Sequence, residues 1–174
     1  MMHKVRALLL SAVCGVVLLS GASAEGISAA EAPKYIPVVK DIAKQEQEAW
    51  DQACLINQYD CTTLERPTVV YEDMEGWGYF TYFPMPHKTV CSQEIHVDAS
   101  VKGQEFATYI MIHEYTHVMQ CDAGWMTKKS TALRSSCERE RMAFWAENVA
   151  AIMNKFEDLR VDTWEEIKWA YGCK

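Results

Sequence analysis

The chain is short of positive charge. It carries 17 Lys and Arg against 24 Asp and Glu, a net charge of −7. That balance argues against nucleic acid or an anionic membrane as partner, since either is met with clustered positive charge. Long apolar runs are missing after the first two dozen residues, so no later segment is expected to span a bilayer. No repeat or low-complexity stretch is visible. No two Cys stand in C-x-x-C spacing, which weighs against a Cys-rich zinc site. No His follows His117.

What is present begins with an address. Lys4 and Arg6 precede an apolar run from Ala7 to Leu19, and small residues end in Ala22-Ser23-Ala24. A basic start, a short apolar core and an A-x-A end make residues 1–24 a signal peptide. The expected mature protein is residues 25–174, a single soluble domain, secreted or periplasmic. Without Lys4 and Arg6 the 17 basic residues become 15 against 24 acidic ones, or −9. The oligomeric state is left open.

Of 7 Cys, Cys14 lies within the apolar run. The other six are Cys54, Cys61, Cys91, Cys121, Cys137 and Cys173. An even number in an exported chain reads as disulfides. Cys54 and Cys61 bracket a short polar loop. Cys121 and Cys137 bracket the connection between two expected helices. Those pairs leave Cys91 with Cys173.

Apolar residues Val39, Ile42, Ala43, Trp50 and Ala53 recur at helical spacing, predicting a helix over Val38–Cys54. Thr68–Tyr71 and Trp77–Phe83 are rich in strand formers, and Thr89–Val97 has room for one or two more short strands. A second helical pattern covers Gln104–Gln120 and a third Cys137–Phe156. Asp162 is a candidate N-cap for a last helix over Thr163–Tyr171. Strands precede the main helices rather than alternating with them, so the fold class is α+β, with a small antiparallel sheet.

The stretch that carries chemistry is His113-Glu114-Tyr115-Thr116-His117, an H-E-x-x-H pattern. On a helix, residues four apart share a face, so the two imidazoles can bind one metal ion. The Glu between them lies about 100° round the helix and can reach a water beside that metal. Zinc in a catalytic site takes three protein ligands and keeps one position open. The third ligand is sought on the following helix. There Glu138 shares a stripe with Met142, Trp145, Val149, Ile152 and Phe156. Glu140 groups with Phe144 and Glu147 on a mixed face. A carboxylate on an apolar stripe is costly unless paired or metal-bound. Glu138 is therefore the expected third ligand, with Glu140 in reserve.

With these residues the chain resembles a small zinc metallopeptidase of the gluzincin, or thermolysin-like, type. In that class H-E-x-x-H is followed some twenty or more residues later by a ligand Glu on the next helix. Cys137-Glu138-Arg139-Glu140-Arg141-Met142-Ala143-Phe144 is similar to the class pattern around that Glu. The stretch of resemblance is about Trp77–Trp145. The metzincin pattern, with a third His soon after the motif, does not fit.

The resemblance implies a zincin-like fold, Zn2+ as cofactor, His113, His117 and Glu138 as ligands, and Glu114 as general base in peptide-bond hydrolysis. It implies a peptide or protein substrate laid along a sheet edge, with Gly78–Phe83 or Ser92–Val97 as the edge. His96, His87, Tyr115 and several tyrosines of the expected sheet are candidate donors to the oxyanion. One departure stands out. The class commonly has an Asp four residues after the ligand Glu, orienting a metal-bound His, and Met142 occupies that position. A degenerate zinc-binding or peptide-binding domain is the alternative this departure favours.

Overall fold

The computed structural model describes residues 39–85, 88–127 and 134–155, together with Lys168 and Cys173. The expected signal peptide, His87 and nearly all of the expected last helix lie outside the described residues. Among the described residues, three long helices and a three-stranded sheet follow in the order α1 (Ile42–Ile56), β1 (Thr68–Glu72), β2 (Gly78–Pro84), β3 (Thr89–Asp98), α2 (Phe106–Asp122) and α3 (Ser136–Met153). The class is α+β, as the sequence suggests.

Each helix has a readable start or stop. Asp41 caps α1, its carboxylate accepting from the backbone N–H of Lys44 at 3.0 Å. Helix α2 ends at Ala123, and Gly124 follows at φ 78°, a conformation cheap only for glycine. The N–H of Trp125 then bonds the Gln120 carbonyl and that of Gly124 the Cys121 carbonyl. These paired bonds satisfy carbonyls that would otherwise be orphaned at the helix end. Helix α3 opens with a capping box. Ser135 accepts from the Glu138 N–H, and the Glu138 carboxylate accepts from the Ser135 N–H.

The sheet departs from the expected antiparallel arrangement. Its strand order is β1-β3-β2, with β1 parallel to β3 and β2 antiparallel to it. The β2–β3 pair is a hairpin, whereas β1 reaches its place across the other edge of β3. A single residue thread from Thr89 to Asp98 thus forms one long central strand. Ser92–Val97 lies within it, so among the described strands β2 and β1 are the edges. Of the two candidate substrate edges, only the β2 segment lies at one.

Helix α2 is the centre of the molecule. Ala107 and every residue from Tyr109 to Cys121 are buried. A helix apolar on most of its surface needs cover on all sides. Here α1, α3 and the sheet provide it. From the sheet, Phe80, Ile95 and Val97 point inward, and from α1, Ala49, Trp50 and Ala53.

Three disulfides close the fold: Cys54–Cys61, Cys91–Cys121 and Cys137–Cys173. The first matches expectation. The pairing of Cys121 with Cys137, and of Cys91 with Cys173, is corrected. Strand β3 runs against α2, which brings the Cα atoms of Cys91 and Cys121 to 5.9 Å. Among the described residues, no helix is long and apolar enough to cross a membrane.

Candidate metal centre

Helix α3 turns some of its large apolar side chains outward. Trp145 is 45% exposed and Ile152 76%. The buried face is Arg139, Glu140, Ala143, Phe144, Ala146, Ala150 and Ala151. Alanines at these spacings let two helix backbones approach closely, and the α2–α3 contact is the most extensive between helices. This rotation decides the site. It carries Glu140 to the two histidines of α2 and leaves Glu138 outside, exposed in its capping box.

The structure brings Glu140, the reserve candidate, to the histidines, where Glu138 was expected. His113, His117 and Glu140 form a buried group able to hold a metal ion. Glu138 is committed to the two N–H and O–H donors of Ser135. Those donors hold its carboxyl below the usual range.

The Nε2 atoms of His113 and His117 are 3.2 Å apart. Glu140 Oε2 lies 3.5 Å from the first and Glu140 Oε1 3.4 Å from the second. Three ligands on one tetrahedral ion, with bonds near 2.0 Å, would stand about 3.3 Å apart. Glu140 is completely buried, and neither of its oxygens makes a well-formed hydrogen bond. A buried carboxylate with both oxygens unsatisfied is costly. A cation between it and the imidazoles removes that cost, so the residues fit a metal.

Both imidazoles are held from behind. His113 Nδ1 faces Glu147 Oε2 at 3.3 Å, and His117 Nδ1 faces Gln120 Oε1 at 2.9 Å. A carboxylate or amide oxygen only accepts, so each Nδ1 carries the proton. Each Nε2 then presents its lone pair to the centre, the tautomer a metal requires. The ring of Phe144 meets His113 edge-on at 4.5 Å. Glu147 was not singled out from the sequence for this role. It stands seven residues after Glu140, two helical turns on, where the class pattern looks four residues on.

In the metal-free protein the same groups share charge. Burial alone would lower His113, but the carboxylates of Glu140 and Glu147 hold it well above its ordinary value. Burial alone would raise Glu140, yet the imidazoles of His117 and His113 hold it well below the usual carboxylate range.

Glu114 lies one residue from the His113 stripe. Burial pushes its carboxyl up, the two histidines oppose this, and Glu140 and Glu147 add to it. Its Oε2 is buried with no partner. Its Oε1 faces the start of β2 at Gly78. A Cβ there would come within 3.1 Å of Oε1 and 2.7 Å of Ile110 Cγ2. Only glycine lets this edge strand come so near to Glu114.

Two of the described candidate oxyanion donors, Tyr115 and His96, fall elsewhere. Tyr115 is fully buried, its ring edge-on to Trp50 at 5.1 Å and its hydroxyl 3.5 Å from Arg66. His96 alternates with the inward Ile95 and Val97, so it lies on the sheet face away from α2. There it stacks on Tyr79 and bonds Glu72.

Comparison with protein-family models, curated proteins and solved structures finds no match for the chain.

Proposed function

We propose that this chain is a zinc-dependent peptidase, with His113, His117 and Glu140 as the metal ligands and Glu114 as general base. The observation that carries the reading is the meeting of three metal-ligating side chains from two helices, with a fourth, unpartnered carboxylate beside them. A zinc ion at such a set supplies Lewis acidity toward a carbonyl and a lowered pKa for water. Glu147 and Gln120 keep the Nε2 lone pairs of the two histidines turned inward. Glu140 contributes the negative charge. Glu114 takes a proton from water at its carboxylate and returns it to the leaving amine nitrogen. Strand β2 offers an edge that no described strand pairs, beside Glu114, for an extended peptide, by strand addition. Three disulfides suit a compartment that keeps thiols oxidised, which supports export.

A second reading is a zinc-binding domain without turnover. The near-complete burial of His117 at 1%, Glu140 at 0% and Glu114 at 4% favours it, because a working site must admit substrate. Metal analysis of the oxidised full chain, followed by digestion of a broad peptide library, separates the two. The peptidase reading expects one zinc per chain and cleavage. It also expects Glu114→Gln to keep zinc and lose at least about a hundredfold in rate, since the amide cannot accept the proton. Zinc with no cleavage anywhere in the library selects the binding domain. A Glu114→Gln variant as active as wild type removes Glu114 from the mechanism.

A further inference from the structure

We propose that Gln120 is a positioning residue of the metal centre, fixing the tautomer of His117 and the placing of Glu140 through one carboxamide. The proposal rests on the metal reading of His113, His117 and Glu140. It concerns how the chain prepares them.

Gln120 is buried in the last turn of α2, three residues after His117. Its Nε2 donates to the backbone carbonyl of Arg139 at 2.9 Å, and its Oε1 lies 2.9 Å from His117 Nδ1. The orientation of the amide is settled by its partners. A carbonyl can only accept, so the NH2 group must face Arg139. The oxygen is then turned to His117, and Nδ1 of that imidazole must carry the hydrogen. Nε2 is left with a lone pair, 3.4 Å from Glu140 Oε1.

The same amide grips α3 at the residue before the third ligand. Arg139 and Glu140 are adjacent, so a bond to the Arg139 carbonyl fixes the α3 backbone where Glu140 leaves it. One side chain therefore sets the tautomer of a ligand on α2 and the register of a ligand on α3. The end of α2 is itself fixed at Gln120, whose carbonyl accepts from Trp125 N–H in the glycine-closed turn. A neutral amide does this without adding a further charge beside Glu140 and Glu147.

Two substitutions separate the two halves of the role. Gln120→Leu removes both bonds. Gln120→Glu keeps an acceptor toward His117 Nδ1 but presents no donor to the Arg139 carbonyl. The full, oxidised chain is stripped of metal and titrated with zinc against a chromophoric chelator. Thermal unfolding of the stripped protein is followed in parallel, and cobalt is substituted for zinc to read the visible absorption of the site. Gln120→Leu should bind zinc about 10- to 100-fold more weakly, the usual cost of losing a group that orients a ligand, with altered cobalt bands. Gln120→Glu, which loses only the tie to Arg139, should lose less zinc affinity than Gln120→Leu, and its stripped form should unfold at a lower temperature. Equal loss of affinity in both variants would overturn the proposal, since the tie to α3 would then be all that matters. So would wild-type affinity in Gln120→Leu.

A further measurement needs no variant. Nitrogen-15 spectra of the zinc-loaded wild type should show His117 with its proton on Nδ1, and a proton on Nε2 overturns the assignment. If the wild type takes up no zinc at all, the metal reading itself fails, an outcome visible before any variant is made.

Discussion

Glu147 Oε2 stands 3.3 Å behind His113 Nδ1, on the side of the ring opposite Glu140. Its carboxylate accepts from that ring nitrogen and so keeps Nε2 of His113 turned toward Glu140. Orienting carboxylates of this kind typically contribute 10- to 100-fold to metal affinity. Glu147→Ala should accordingly weaken zinc binding by about 10- to 100-fold, measured by chelator competition, without loss of helix content by circular dichroism. Unchanged affinity would show that Glu147 is a bystander.

Glu138 and Glu140 are two residues apart and should behave in opposite ways. Glu140→Ala removes a ligand and should abolish most zinc binding, because two histidines alone do not make a zinc site. Glu138→Ala should leave metal content intact and lower the unfolding temperature, because it removes the carboxylate half of the capping box. The Glu138 carboxyl is lowered in the folded protein by the Ser135 N–H, then by the Ser135 hydroxyl. Its contribution is therefore complete at neutral pH and is lost as pH falls through that lowered value. The gap in unfolding temperature between wild type and Glu138→Ala should narrow in acid. Loss of zinc in Glu138→Ala, with zinc retained in Glu140→Ala, would reverse the assignment.

The parts of this fold that were legible in the sequence are those set by local periodicity. The helices over Ile42–Ile56, Phe106–Asp122 and Ser136–Met153 and the strands from Thr68, Gly78 and Thr89 appear where their patterns put them, within a few residues. What lies beyond local pattern was not legible. Strand order depends on a crossover, and nothing in Thr68–Glu72 announces that it will lie parallel to β3. The disulfide partner of Cys121 follows from that packing. The third ligand turned on which face of α3 is inside. Large apolar residues at Trp145, Val149 and Ile152 suggested one face, but close approach of backbones favours small residues, and Ala143, Ala146 and Ala150 went inward. A local signal did bear on this choice. Ser135-Ser136-Cys137-Glu138 is the S-x-x-E capping box, which commits Glu138 to the helix start.

The disulfide Cys91–Cys121 ties the central strand to the last turn of the helix that carries His113 and His117, across 30 residues of chain. For a loop of that length the chain-entropy estimate is about 3–4 kcal/mol. Replacing both Cys by Ser should lower unfolding free energy by about that amount, 3–4 kcal/mol by the same estimate, with the residual metal affinity reduced as α2 loses its anchor to β3. Peptide mapping without reduction should recover Cys91 joined to Cys121 and Cys137 joined to Cys173. A fragment joining Cys121 to Cys137 would contradict this fold.

Gly78 is the point where β2 passes closest to the proposed base. A methyl group there would meet Ile110 Cγ2 at 2.7 Å, the His96 carbonyl at 3.0 Å and Glu114 Oε1 at 3.1 Å. Ile110 is β-branched and stiff at χ1, so it cannot swing clear, and the His96 carbonyl belongs to the paired strand. Gly78→Ala must therefore push β2 away from α2. Overpacking of this kind costs about 1–3 kcal/mol, and the displaced Glu114 should lower peptidase rate more than metal affinity. Ile110→Ala alone should cost about 2–5 kcal/mol for the emptied core site. Combined, the two changes should cost less than their sum, because the new methyl occupies space that Ile110 vacates. Strict additivity in a double-mutant cycle would mean that Gly78 is not held by this contact.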